Sequence, residues 1–200
     1  LITTQGHRDS VEMAYENRFA QYDIDIDRPA PLVPRYLRWP VNERLGPNGE
    51  IIVPLDESTV HGLIPLIKEN KIESIAVGLL HGYSNAAHEK RIAEILLTAF
   101  PDLKISLASE VCPEIREYER QSTTCANAYV QPLMAGYLTR LNEELSGLGF
   151  QCPFTLMTSG GGLTDLETAI KFPIRLVESG PAGGAILASQ IAGECGLNEV

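Results

Sequence analysis

The clearest periodicity in the chain falls at residues 88–100. There Ile92, Ile95, Leu96, Ala99 and Phe100 recur at three- and four-residue intervals, the spacing of one helix face. Ahead of it, the apolar run Ser-Ile-Ala-Val-Gly-Leu-Leu at 74–80 suits a strand buried on both faces. Residues 104–109 predict another strand, and the strand–helix–strand order predicts a mainly parallel sheet with flanking helices. Residues 1–33 open strand-like, carry a helical run at 10–19, and continue through an acidic, proline-rich and extended stretch at 22–34. Residues 35–56 read as a hairpin. Its outgoing arm alternates Leu37, Trp39 and Val41, its return arm is 51–53, and Asn48-Gly49 supplies the positive φ of the turn. Residues 56–70 predict a helix capped by Asp56, kinked or started late by Pro65. Residues 115–148 predict a long helix in two pieces, with Pro132 heading the second. Strands at 154–158 and 174–178 each end in a glycine-rich turn, and a small-residue helix follows at 185–195.

Composition narrows the class. With 44% hydrophobic and 21% charged residues, the 200-residue chain can build a core and is neither disordered nor fibrous. No stretch nears the ~18 apolar residues of a membrane span, and no signal peptide opens the chain. A net charge of −10 repels phosphate backbones, so neither nucleic acid nor membrane is an expected partner. Cys112, Cys125, Cys152 and Cys195 show no CxxC or zinc-finger spacing. They predict reduced, mostly buried thiols in a cytoplasmic protein. The chain starts at Leu1 without a methionine and stops in what reads as a new strand, which predicts a segment of a longer protein.

Three features carry candidate chemistry. The turn with Gly160, Gly161 and Gly162, and the turn with Ser179, Gly180, Pro181, Gly183 and Gly184, could bring backbone N–H groups to a phosphate. Neither has a Walker or GxGxxG pattern, so on the residues alone tight strand exit and close helix packing are the favoured reading of each. The polar stretch 114–124 holds Arg116 and Arg120, and Glu119 and Thr123, at i,i+4, with Thr124 beside them. On composition it reads as a solvated helix start with salt bridges. His88-Glu89 lacks the HExxH pattern, which predicts a surface or capping histidine and no metal site. No G-x-S-x-G elbow is present.

The motifs go further than the periodicity. Residues 110–124 (Glu-Val-Cys-Pro-Glu-Ile-Arg-Glu-Tyr-Glu-Arg-Gln-Ser-Thr-Thr) and 127–132 (Asn-Ala-Tyr-Val-Gln-Pro) closely resemble hydantoinase A and 5-oxoprolinase proteins. So do the stretches 3–9 (Thr-Thr-Gln-Gly-His-Arg-Asp), 31–35, 54–57, 76–83 with His88-Glu89, and 179–184. The matches occur in order along nearly the whole chain. Two departures stand out: His7 occupies a position where phenylalanine is usual, and Gly160 one where asparagine is common.

The resemblance implies an α/β fold, part of an actin, sugar-kinase and heat-shock-chaperone-like (ribonuclease H-like) ATPase with a β-hairpin insertion at 35–56. It implies the remainder of an N-terminal domain over 1–113. It also implies the start of a hydantoinase/oxoprolinase domain over 114–200, with the connecting element at 174–200. ATP and Mg²⁺ are the implied cofactors, held by two Asp-x-Gly-Gly loops that this chain lacks, so the segment alone is expected to be inactive. The implied partners are a small cyclic amide substrate and a B-type subunit in an oligomer. The implied reaction is ATP-dependent opening of a hydantoin, 5-oxoproline or similar lactam. A ketone carboxylase of the same family and a non-catalytic nucleotide- or partner-binding domain are the alternatives. Gly160–Gly162 and Ser179–Gly184 are then phosphate-proximal, and Arg116, Glu119, Arg120, Thr123 and Thr124 face the cleft.

Overall fold

The computed structural model of the chain describes residues 1–15, 22–26 and 29–197. The chain divides into two compact units, Leu1–Tyr129 and Val130–Val200.

The first unit is built on β1 (Ile2–Thr4), β2 (Trp39–Val41), β5 (Ser74–Gly78) and β6 (Lys104–Leu107). These form one sheet in the order β2-β1-β5-β6, with every pair parallel. Around it run α1 (Ser10–Met13), a 3₁₀ turn at Arg35–Leu37, β3 (Arg44–Leu45), β4 (Ile51–Val53), α2 (Glu57–His61), α3 (Ile64–Glu69), α4 (Ala87–Ala99) and α5 (Ala108–Val111). The helix α6 (Glu117–Gly147) contains the boundary between the units. The remaining elements are β7 (Leu156–Met157), β8 (Leu163–Thr164), α7 (Leu166–Lys171), a 3₁₀ turn at Pro173–Leu176 and α8 (Ser179–Glu194).

Period-2 alternation sends the β5 side chains to opposite faces. Ile75 and Val77 join Ile2, Val41, Ile92 and Leu96 in the main core, whereas Ala76 packs with Cys125 and Ala128 of α6. The α6 face of β5 is small for a steric reason. A Cβ at Gly78 would come within 2.9 Å of Gln121 Cγ, so Ala76 and Gly78 together let the helix lie close on the strand. Asp56 caps α2 by accepting from Ser58 N. The helical stretch breaks at Gly62–Leu63, and Pro65 falls in the first turn of α3, where its missing N–H costs nothing.

Four expectations are corrected. The Trp39–Val41 strand is not the outgoing arm of the hairpin; it pairs parallel with β1. Alternating burial marked a strand without naming its partner. Trp39 N donates to Leu1 O and Gln5 N to Val41 O, so Pro40 turns its N-less side to the free edge of the sheet, where proline is tolerated. The hairpin is the shorter β3–β4 pair, closed through Gly49 at φ +85°.

Secondly, α6 is one continuous helix with Pro132 inside it. Proline cannot donate to the carbonyl one turn back, that of Ala128. Ser74 Oγ donates to that carbonyl instead, at 2.6 Å. Ser74→Ala is therefore expected to cost about 1–2 kcal/mol by leaving it unpaired. The cost should shrink in a Pro132→Ala background, where the residue-132 N–H returns, and urea denaturation of the four-member cycle reads the coupling.

Thirdly, residues 173–178 are not a strand. Pro173 heads a 3₁₀ turn, Glu178 adopts φ +61°, and α8 begins at Ser179, so the second glycine-rich stretch forms the first turns of a helix. Pro181 is accommodated because the first-turn N–H groups have no intrahelical partner. Strand 154–158 likewise contracts to β7, and strand 104–109 ends at Leu107, where α5 takes over.

Finally, the four cysteines are free, but Cys152 and Cys195 are exposed and only Cys125 is buried. Of the predicted helix over 10–19, only α1 at Ser10–Met13 forms; it ends at Ala14, which holds φ +50°, and residues 16–19 lie outside the described residues.

Candidate functional site

Every strand of the first-unit sheet points its carboxyl end to the same edge, and the segments leaving β1, β2 and β5 gather polar side chains there. Glu43, which follows β2, is fully buried. It accepts from Thr4 Oγ1 at the end of β1 and is bonded to His88 Nδ1 on α4 at 2.8 Å. Thr4 Oγ1 in turn accepts from Leu80 N at 2.9 Å, tying the exits of β1 and β5 together. His88 is thus a buried partner of Glu43, not the surface or capping residue expected from its place in the first turn of a helix. Its partner is 45 residues away, beyond any local pattern.

Glu89, next on α4, is also fully buried. Its Oε1 accepts from Leu79 N at 3.0 Å and its Oε2 from Ser109 N at 2.8 Å, fastening the exits of β5 and β6. Burial pushes its carboxyl above the usual glutamate range, and the two amide donors only partly offset this. Gly82 passes close over the carboxylate, since a Cβ there would collide with Glu89 Oε1.

The polar stretch ahead of and within α6 turns inward, against its solvated reading. Arg120, Gln121 and Thr124 are each 0% exposed. Arg120 donates to the carbonyls of Glu114 (2.7 Å), Arg116 (3.3 Å) and Leu79 (3.2 Å), and pairs with Glu117 at 3.3 Å. Its guanidinium lies 5.3 Å from the Tyr83 ring centroid. Gln121 donates to Thr3 Oγ1 and to Gly78 O, and Thr124 Oγ1 donates to Arg120 O. Arg116 is exposed and holds φ +79° immediately before α6. Glu119 is half-buried and accepts from Tyr15 Oη at 2.7 Å, while Thr123 is half-buried.

His7 completes this edge. Arg44 Nη1 lies 2.9 Å from His7 Nε2, and burial together with the Arg44 charge holds the His7 pKa below its ordinary value. Sequence reading marked His7 only as a departure from the motif and passed over Glu43, Arg44 and His81 as site residues. The usable signal was that each follows a parallel strand at its carboxyl end, where open α/β sheets bind ligands.

The second unit brings the two glycine segments together. Gly160, Gly161 and Gly162 form the tip of the β7–β8 hairpin, with Gly161 at φ +80°. A Cβ on Gly161 would reach 3.0 Å from Ile186 Cδ1 of α8, and one on Gly183 would meet Met157 Cγ at 3.8 Å. Gly180 and Gly184 face open space, and the first turn of α8 has no side-chain cap. Backbone N–H groups at a helix start with no Cβ in the way suit an anion such as a nucleotide phosphate. Among the described residues no three His, Cys, Asp or Glu side chains converge as metal ligands. Among them, too, no helix is long and apolar enough to cross a membrane.

Comparison with known proteins places this architecture. Residues 1–100 match the hydantoinase/oxoprolinase N-terminal region, and residues 120–200 match the hydantoinase/oxoprolinase domain. Caprolactamase subunit alpha of Pseudomonas jessenii is 33% identical over 202 residues, covering all of this chain and 29% of that protein. The gamma subunit of acetophenone carboxylase from Aromatoleum aromaticum is 29% identical, again over all of this chain and 29% of its own length. The crystal structure of the ATP-dependent caprolactamase from Pseudomonas jessenii superposes with a TM-score of 0.85 at 31% identity, over 98% of this chain and 29% of that one. The fold is thus the ATPase-like α/β fold expected from the motifs, and the chain belongs to the hydantoinase/oxoprolinase family. It is related to lactam-opening and carboxylating subunits and spans under a third of the length of the curated relatives it matches.

Proposed function

We propose that the protein carrying this chain is the ATP-using subunit of a cyclic amidase that opens a hydantoin, 5-oxoproline or similar lactam. The observation that carries the reading is the whole-chain likeness to a caprolactamase subunit at 33% identity, in sequence motif and in fold. A lactam carbonyl is a poor electrophile. Transfer of the γ-phosphoryl group of ATP to the amide oxygen makes the carbon attackable by water. The C–N bond of the adduct then breaks, and the protonated amine leaves as the ring opens. A second water attacks the carbonyl carbon of the resulting acyl phosphate, so that the carboxylate forms and phosphate departs with the former amide oxygen. The protein's contribution is positioning and electrostatic stabilisation.

In this reading the hairpin tip Gly160–Gly162 and the α8 start, with Ser179, Gly180, Pro181, Gly183 and Gly184, lie near the nucleotide phosphates and offer them backbone N–H groups. Arg116, Glu119 and Thr123 are the side chains free enough to meet substrate. Arg120 and Thr124, buried in the first unit, act by holding the strand exits in place. Mg²⁺ accompanies the nucleotide on ligands outside the described residues. The partner is a B-type subunit, and the four unpaired cysteines suit a reducing, cytoplasmic compartment. A ketone carboxylase is the second reading, favoured by the acetophenone carboxylase likeness.

The test is phosphate release by the full-length protein with its B-type subunit and Mg²⁺. Stimulation by a lactam supports the amidase. Ketone consumption that depends on bicarbonate, without lactam stimulation, replaces it by the carboxylase. Pro181 gives a second handle. It is exposed in the first turn of α8, so Pro181→Ala should change stability by no more than about 0.5 kcal/mol. If this turn relays nucleotide state, the variant should consume more ATP per ring opened, and an unchanged ratio removes the relay.

A further inference from the structure

We infer that the carboxyl edge of the first-unit sheet holds an oxyanion-binding site built by His7, Arg44 and His81, which takes a carboxylate or phosphate group of a small ligand. The inference goes beyond the cyclic-amide reading and stands without it, because all three residues lie in the first unit.

Arg44 is half-buried, and its one described side-chain hydrogen bond goes to an imidazole. Among the described residues no carboxylate lies within ion-pair distance of it, in a chain of net charge −10. The neighbouring acids are engaged elsewhere: Glu43 with Thr4 and His88, and Glu117 with Arg120. A guanidinium has only donors, so His7 Nε2 must be the acceptor. His7 is therefore neutral, with its proton on Nδ1, and presents a donor alongside the remaining Arg44 N–H groups. His81 lies three residues past the end of β5, which pairs parallel with β1, so it leaves the sheet at the same edge as His7. It is held at φ +57°, and its buried Nδ1 has no hydrogen-bond partner. Three nitrogen-bearing side chains from three strand exits thus carry donor capacity that the described protein atoms do not use, at the edge where parallel sheets bind ligands. An arginine fork matches the two oxygens of a carboxylate or phosphate.

The sequence gives this a sharper edge. Phenylalanine, usual at position 7 in the proteins that the motif resembles, cannot accept from Arg44.

The test titrates sodium phosphate and sodium acetate separately into the intact protein labelled at histidine Cε1, with chloride as the control at matched ionic strength. The expected result is a saturable shift of the His7 and His81 resonances with at least one oxyanion and none with chloride. Whichever of acetate and phosphate binds more tightly names the source of the group. His7→Phe and Arg44→Ala should each weaken binding by about tenfold or more, the loss of a charge-assisted contact. His7→Gln keeps an oxygen for Arg44 and should retain binding to within about threefold. An unchanged melting temperature for His7→Phe establishes that the loss is not unfolding. Absence of a saturable shift with both oxyanions, or wild-type affinity in folded His7→Phe, overturns the proposal.

Discussion

Arg120→Ala is expected to destabilise the first unit by about 3–5 kcal/mol, the range for breaking a buried charged contact from one side. The variant strands the Glu114 carbonyl, removes one of two donors from the Leu79 and Arg116 carbonyls, which keep the N–H groups of Gly82 and residue 120, and leaves the Glu117 carboxylate without its counter-charge. For a chain of this size the melting temperature should fall by roughly 10 °C. Arg120→Lys keeps the charge but loses the planar fork that reaches three carbonyls, so it should recover less than half of the loss. Differential scanning calorimetry of the two variants distinguishes this account from a solvated salt bridge, for which both would melt within about 2 °C of the parent.

Glu89→Ala follows, at about 2–4 kcal/mol, because it leaves Leu79 N and Ser109 N as two buried donors without an acceptor. Glu89→Gln should cost roughly half of that, since its amide oxygen satisfies one donor while its NH₂ faces the other. The pH dependence has a definite sign. Burial raises the folded-state pKa of Glu89 above its unfolded value. In the interval between them the folded protein therefore binds more protons, and this group's contribution to stability is lost as pH rises through the folded pKa. The contribution is fully present below the ordinary glutamate pKa. Urea denaturation across that interval should show Glu89→Gln with a flatter profile than the parent; parallel profiles would mean that Glu89 does not titrate there.

The elements read most readily from the sequence were those whose neighbours in sequence are also their determinants. The α4 periodicity and the apolar run of β5 report local burial, and both strand and helix form where the pattern places them. Asp56 and Pro65 act within one helical turn and were equally legible. What the pattern could not carry was the identity of a distant partner. Alternation at Trp39 and Val41 indicated a strand but not that it joins β1, and Pro132 looked like a helix start because its compensation, Ser74, is 54 residues away. The stretch around Arg120 was misread on composition for a related reason. A charged residue looks solvated until the carbonyls of a strand exit 41 residues earlier are known to receive it. The glycine segments were recognised as close-approach sites, but a short apolar run behind Pro173 was as compatible with a 3₁₀ turn as with a strand. Among the polar residues near this edge, those on α6 were singled out by motif. The ring of His7, Glu43, Arg44 and His88 was not, because the parallel topology that gathers it appears only when the strand order is known.

The central claim is that the amide oxygen of a lactam takes up the γ-phosphoryl group before the ring opens and then leaves with the phosphate. It is tested most directly by following that oxygen. The full-length protein, with its B-type subunit, Mg²⁺ and ATP, is given a lactam labelled with ¹⁸O at the carbonyl, and the phosphate released is analysed by mass spectrometry. The account predicts one ¹⁸O in the phosphate for each ring opened. Ring opening that leaves all the label in the carboxylate product would contradict it.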